Sequence, residues 1–403
     1  MKSRIVLAVA VATCLLSNPA APAAGALLAQ QGFGPGRRVM LDAHNAYPQN
    51  DRWRDRIDRA LSTGFPVAIE QDLYWKDRAG SFEILVAHDK SELDRAPTLD
   101  AYFFKRIRPL MERALAEQRR DTWPLIVLNL DFKQNDAPLL DAVYTLLGQY
   151  ESWLTTAPRT STPDVAAPLS VGPLLVLSGS SEAQRVRFHD AVPVGQRLRA
   201  FGAIPSAVAP GANNEERAAN MSRMPAEQII APKASNYARW VNFPWLVVEA
   251  GGQTNAADWN ATDAARLDAL VTRAHAQNLW IRFYTLDGFL NGDGDGLTKS
   301  YDFGSDSAVK LRWRAAIQAG VDFIATDHYE RFDRARRERL EGRGRLEGRG
   351  RLEGRGRLEG RERLEGRERL EQRKGLDVRA VRDGRLIADL FAQHLHYRPA
   401  SAE

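Results

Sequence analysis

Val39-Met40-Leu41-Asp42-Ala43-His44-Asn45-Ala46-Tyr47 opens as a short apolar strand and breaks into a polar cluster at His44 and Asn45. The design returns downstream. Val67-Ala68-Ile69 runs into Glu70-Gln71-Asp72, Leu85-Val86-Ala87 into His88-Asp89, and Val127-Leu128-Asn129-Leu130 into Asp131-Phe132-Lys133. Residues two apart on a strand share a face, so Glu70 projects with Asp72, and Asp131 with Lys133. Four strand-length runs therefore each end in residues able to carry charge.

Outward from these runs, strand-length apolar segments alternate with longer stretches of helical period. Strands are expected at 39–43, 67–73, 84–87, 125–130, 174–177, 280–284 and 323–325, with an eighth at 201–204 or 245–248. Helices are expected at 53–62, 99–116, 137–154, 263–277 and 307–319. Such alternation predicts a parallel sheet wrapped by helices, and eight strands predict a single-domain (β/α)8 TIM barrel over 37–335. A doubly wound open sheet is the competing architecture, but no glycine-rich loop follows the first strand to cradle a dinucleotide.

In a barrel the carboxyl ends of the strands converge on one mouth, where active sites are built. Glu70, Asp72 and Asp131 gathered there repel one another unless a cation or protons intervene, and hard oxygen donors suit Mg²⁺ or Ca²⁺. His44 and His88, flanking such a centre, take a proton from one oxygen and give one to another. Lys133 is placed to stabilise charge growing on a phosphoryl oxygen. The set suits displacement at a phosphodiester better than carbonyl chemistry, since the chain holds no Gly-x-Ser-x-Gly elbow. Arg282 shares parity with Trp280 and Tyr284, so Arg282 and Tyr284 are candidate substrate contacts; an interior ion pair is the other reading of Arg282.

At these residues the chain resembles the PI-PLC-like phosphodiesterase superfamily, which includes glycerophosphodiester phosphodiesterases, phosphatidylinositol phospholipases C and sphingomyelinase D-type enzymes. The superfamily pattern of His, Glu-x-Asp and His is matched by His44, Glu70-Gln71-Asp72 and His88. Tyr284-Thr285-Leu286-Asp287 and the run from Ala319 to Asp327 resemble its seventh and eighth strand endings. Within it the chain looks most similar to the altered-inheritance-of-mitochondria group and its bacterial relatives, in which Thr98–Leu110 also fits. Two positions depart from the glycerophosphodiesterases. Asn45 stands where they carry Arg and is similar to the calcium-dependent phospholipases C, which implies Asn45 as a metal ligand. Asp131-x-Lys133 is similar to the sphingomyelinase D arrangement where many relatives use Glu. The resemblance implies a metal-dependent phosphoric diester hydrolase with Asn45, Glu70, Asp72 and Asp131 on one divalent ion. It also implies His44 as base and His88 as acid, two roles open to exchange.

The ends of the chain account for its basicity. Of 403 residues with a net charge of +5, the stretch 331–375 alone holds 17 Lys/Arg against 10 Asp/Glu. Lys2 and Arg4 are also basic, which leaves residues 5–330 mildly acidic and argues against a nucleic-acid partner. Lys2, Arg4 and the apolar run Ile5–Leu16, followed by small residues, read as an export signal over 1–26, predicting a periplasmic or secreted protein. Cys14, the one cysteine, lies within that segment, so removal of the signal excludes disulfides and thiol catalysis.

From Arg339 a hexamer Arg-Leu-Glu-Gly-Arg-Gly repeats, giving a low-complexity extension over 336–375. Steps of six turn a helix by about 240°, so its leucines form no apolar stripe and the segment reads as a solvated linker. Its basic residues predict at most weak contact with an anionic surface, and a short amphipathic helix is expected within 376–403. Asn291-Gly292-Asp293-Gly294-Asp295-Gly296, with Asp302 at the twelfth position, resembles an EF-hand opening, although Gly and Asp equally suit a plain lid. The expected substrate is a small-molecule or lipid phosphodiester. The alternative is a barrel that binds a metal or phosphoester without turnover.

Overall fold

The computed structural model describes residues 32–338 apart from 50–51, 79, 206, 208, 250–257 and 289–301. The strands of its main sheet are β1 (Met40–Ala43), β2 (Val67–Arg78), β3 (Ser81–Val86), β4 (Ile126–Phe132), β5 (Leu174–Ser178), β6 (Phe201–Ala203), β7 (Ala238–Pro244), β8 (Trp280–Tyr284) and β9 (Phe323–Thr326). Eight of these pair in parallel in the cyclic order β1, β2, β4, β5, β6, β7, β8, β9 and back to β1. That closed ring is a (β/α)8 barrel, as the alternation predicts.

Helices α1 (Arg56–Ser62), α2 (Lys105–Glu117), α3 (Ala137–Gln149), α4 (Asn214–Arg223), α5 (Ala261–Ala276) and α6 (Asp306–Ala319) supply most of the crossovers. Their starts are written locally. Asp136 accepts from the Leu139 amide at the head of α3, and Asn260 and Asp263 form a reciprocal capping box on α5. At the end of α6, Gly320 takes φ 81°, a left-handed turn that favours glycine. Between β5 and β6 lie the short helical turns Glu182–Arg185 and Val186–Asp190 and the two-residue strand Arg197–Leu198, which pairs antiparallel with Ala157–Pro158. No helix among the described residues is long and apolar enough to cross a membrane.

Strand alternation divides the core in two. Leu41, Ile69, Leu128, Val176, Val241, Phe283 and Ile324 face outward and pack under the helices. Met40, Ala68, Val127, Leu175, Trp240, Trp280 and Phe323 form a second apolar cluster inside the barrel, with Phe33 against Trp280 at 5.0 Å between ring centroids. Two residues further along β1, β2, β4, β7 and β8, the same inward parity yields Asp42, Glu70, Asn129, Asn242 and Arg282, all but Asn242 fully buried. The barrel is therefore packed with apolar side chains at one end and polar ones towards the other.

Two strand expectations are corrected. The run at 84–87 is no barrel strand: β3 pairs antiparallel with the outer half of β2, from Leu73–Val86 to Arg78–Ser81. Strand β2 is long enough to serve the barrel through Val67–Leu73 against β4 and then to form this hairpin beyond the rim. Its place in the ring goes to β7, which the sequence reading passed over. Of the two candidates for the eighth strand, Phe201–Ala203 is β6, whereas Trp245–Val247 is a 3-10 turn after β7. The export segment, the loop 291–296, the repeat and the 376–403 helix lie outside the described residues.

Candidate active site

A cavity of about 280 Å³ opens at the carboxyl ends of the barrel strands. Around it stand His44 and Asn45 after β1, Glu70 and Asp72 on β2, Asn129, Asp131 and Lys133 at β4, and Arg282 and Tyr284 on β8. His88 reaches the same cavity from the descending arm of the β2–β3 hairpin. All nine residues singled out by sequence therefore line one space.

The turn after β1 aims the first group. Asn45 takes φ 52°, a left-handed backbone that Asn tolerates better than most residues. His44 Nδ1 lies 3.0 Å from Asp327 Oδ1, and Nε2 lies 3.4 Å from Glu70 Oε2. Burial opposes a charged ring, but Glu70 and then Asp327 outweigh it and hold the His44 pKa up at about 9. The Asn45 amide nitrogen is 2.8 Å from His44 Nδ1 and donates to Asp327 at 3.1 Å. Its Oδ1 accepts from the Tyr47 hydroxyl, whose oxygen also lies 2.7 Å from Asp72 Oδ2. Burial, followed by Asp72, raises the Tyr47 pKa well above that of an ordinary phenol, so it remains a donor.

The carboxylates form the second group. One oxygen from each of Glu70, Asp72 and Asp131 falls within 4.8 Å of the others. Burial and then the neighbouring Asp131 and Glu70 push the Asp72 pKa up to about 8. Lys133 Nζ bridges two members, 2.8 Å from Asp72 Oδ2 and 2.6 Å from Asp131 Oδ2. Burial works against the ammonium, yet Asp72 and Asp131 hold its pKa well above the ordinary lysine value. Three hard oxygen donors this close, one held proton-prone by the other two, fit a divalent cation; the Asn45 side chain turns instead to Tyr47, His44 and Asp327.

Arg282 anchors the floor. Its guanidinium donates to Asp42, lies 3.2 Å from Glu70 Oε2 and donates to Asn242 Oδ1 at 3.0 Å. Burial opposes the charge of Glu70, but Arg282 and His44 overcome it and keep that carboxyl below its usual pKa. For Asp42 burial prevails over Arg282 and raises the pKa. Arg282 is thus an interior ion pair and a cavity wall at once, with its guanidinium carbon 5.4 Å from the Tyr284 ring centroid. Tyr284 in turn stacks on His44 at 6.5 Å between ring centroids.

Sequence reasoning missed Asp42, Tyr47 and the role of Asp327. Asp42 had a signal, since it shares inward parity with Met40 on β1. Asp327 ends the β9 segment but meets His44 only when the ring closes. Asp287 stands behind it, accepting from Thr326 Oγ1 and the Asp327 amide at 2.7 Å each, and burial followed by Asp327 lifts its pKa to about 6. Asp302 pairs by a backbone bridge with Asp287; the loop 291–296, whose pattern drew attention to it, lies outside the described residues.

No family model and no curated protein matches the chain. Among solved structures, the barrel is similar to a glycerophosphoryl diester phosphodiesterase from Parabacteroides distasonis, at 13% identity and TM-score 0.35, covering 74% of this chain and 85% of that one. It is also similar to a phosphatidylinositol-specific phospholipase C from Listeria monocytogenes, at 10% identity and TM-score 0.41, covering 75% and 94%. A structure named as a fructose-1,6-biphosphate aldolase from Coccidioides immitis matches at 12% identity and TM-score 0.27, covering 75% and 76%.

Proposed function

We propose that the chain is a phosphoric diester hydrolase that uses His44 and His88 as general acid and base beside a divalent cation. The observation that carries this reading is one polar cavity lined by both histidines, the Glu70/Asp72/Asp131 cluster, Lys133 and Arg282. Glu70, Asp72 and Asp131 are the residues to hold Ca²⁺ or Mg²⁺, with Asn45 beside them. Bound there, the ion supplies Lewis-acid stabilisation of charge on a phosphoryl oxygen.

The protein's own groups do the rest. Asp327 fixes the His44 ring through Nδ1 and leaves Nε2 beside Glu70. With Glu70 neutralised, the largest attraction keeping His44 protonated is lost, and Nε2 accepts the proton of the nucleophile, a substrate hydroxyl or water. His88, across the cavity on the hairpin arm, donates to the leaving alkoxide. Lys133 and Arg282 present positive charge to the developing phosphorane oxygens. A polar cavity of about 280 Å³ suits a headgroup rather than an acyl chain, so the substrate class is a glycerophosphodiester or phospholipid headgroup.

The test is a screen of purified protein against glycerophosphodiesters, phosphatidylinositol and sphingolipids, with Mg²⁺, Ca²⁺ or EDTA. EDTA-sensitive release of a phosphomonoester or cyclic phosphate is the expected result. Metal or ligand binding with no turnover across the panel favours the inactive-barrel alternative. Export belongs to the same proposal, resting on Lys2, Arg4 and the apolar run Ile5–Leu16. N-terminal sequencing of the protein in each cell fraction checks it: a cleaved N-terminus outside the cytoplasm is expected, and retention in the cytoplasm with Met1 intact sinks it.

A further inference from the structure

Arg56, the first residue of α1, is a fully buried guanidinium that plays no part in the chemistry above. Its Nη1 donates to the Asn45 carbonyl at 3.0 Å and the His44 carbonyl at 3.4 Å, and it lies 3.5 Å from Asp327 Oδ1. Tyr329, equally buried, donates its hydroxyl to the same His44 carbonyl at 2.6 Å and accepts from Arg56 at 3.5 Å. The Trp53 ring, on a residue of φ 61°, covers the guanidinium at 4.2 Å. The two side chains come from opposite ends of the barrel sequence, one before β2 and one after β9, and meet behind the His44–Asn45 turn.

Burying a lone guanidinium is costly, and a buried ion pair seldom stabilises a fold better than apolar side chains of the same volume. What this one does that an apolar residue does not is hold two carbonyls and a carboxylate in fixed relation. From that geometry we infer that Arg56 and Tyr329 are positioning residues, a clamp that sets the His44 backbone and the Asp327 carboxylate so that the imidazole meets both Asp327 and Glu70. The inference rests on the reading of His44 as a proton-transfer group.

Arg56→Lys keeps the charge without the planar reach, and Tyr329→Phe removes one hydroxyl from an otherwise unchanged core. Each variant is expected to lower kcat about tenfold or more with KM moved less than about twofold, since misplacement rather than lost binding is the defect. Guanidinium ion at millimolar concentration should restore part of the turnover of Arg56→Ala and none of that of His44→Ala. Independently of turnover, the ¹H–¹⁵N resonances of the His44 ring should move in both variants. If the arginine variants fail to fold, Tyr329→Phe carries the test by itself. Unmoved His44 resonances in Tyr329→Phe, or an unchanged kcat with only a lower Tm, overturn the clamp. If the wild-type protein cleaves no phosphodiester, the proposed function falls, and the ring resonances still decide the clamp.

Discussion

The two arcs of the barrel interior are built on one geometry and filled with opposite chemistry. On β8, β9, β1, β2 and β4, the inward positions nearest the mouth hold Arg282, Asp327, His44, Glu70, Asp72 and Asp131. On β5 and β6 the inward positions hold Leu175, Leu177, Phe201 and Ala203, and of the segment after β5 only Gly179 touches the cavity. Strand period and burial are the same on both. Placement alone therefore does not make the site; five strands supply charge, β5 and β6 supply an apolar backing, and β7 adds the uncharged Asn242. Charged groups so close in a low-dielectric interior each need a partner, so the polar arc is the part of the barrel where a single substitution propagates.

The largest contrast between the arcs is expected in turnover. His44→Ala and His88→Ala should each reduce phosphodiester hydrolysis by about a thousandfold or more, while Leu177→Ala leaves kcat within a few fold. Single-turnover rates on one substrate check this, and a histidine variant with near-normal rates removes that residue from the mechanism.

Stability should separate the arcs next. Arg282→Met strips the partner from Asp42 and Glu70 and is expected to cost about 3–5 kcal/mol, as for other broken buried pairs. Leu177→Ala should cost about 2–5 kcal/mol through its cavity alone. The discriminating readout is pH. The Arg282→Met loss should shrink towards acid, as Asp42 and Glu70 in the variant, no longer facing Arg282, take up protons, and the Leu177→Ala loss should not. Parallel urea midpoints across pH 4–8 would contradict the assignment of Arg282 as counter-ion.

A third prediction concerns the cation. Asp72 is raised to about 8 and His44 to about 9, so both groups hold protons more tightly folded than unfolded. Stability from such groups is complete below their unfolded values, about 3.9 and 6.5, and is lost as pH rises through the folded ones. Without divalent ions the protein should therefore weaken from about pH 4 to pH 9. A bound cation replaces the protons, so the Tm gain with Mg²⁺ or Ca²⁺ should be small at pH 5 and largest near pH 8.5. A gain independent of pH would place the ion elsewhere. The smallest expected effect is on affinity: Lys133→Met removes an ammonium that shares Asp72 and Asp131 and should tighten divalent-ion binding about tenfold, near 1.4 kcal/mol by calorimetry. An unchanged Kd would show that Lys133 does not compete for the site.

Legibility followed the same division. The site residues on β1, β2 and β4 were readable because each apolar run ends in charge, a local signal. Strand β7 escaped because Arg239 and Asn242 interrupt its apolar run, and their burial depends on partners in distant segments. The β3 run looked like a barrel strand because a hairpin arm and a barrel strand bury similar side chains; pairing direction is invisible in composition. Asp327 and Arg56 were beyond reach for another reason. Their partners, His44 for one and the His44–Asn45 carbonyls for the other, are defined by ring closure and by helix docking, neither of which a local pattern encodes.

Closure between β1 and β9 also has a consequence in time. The Asp327–His44 contact spans 283 residues, and the last barrel strand is also the one that seals the first. A ribosome must therefore finish nearly all of the described chain before any copy owns the His44–Asp327 pair. Until then Glu70, Asp72 and Asp131 are present but His44 has no Asp327 to aim it. On the proposed reading, a nascent or prematurely released chain would lack the aimed His44 and would not turn over a phosphodiester.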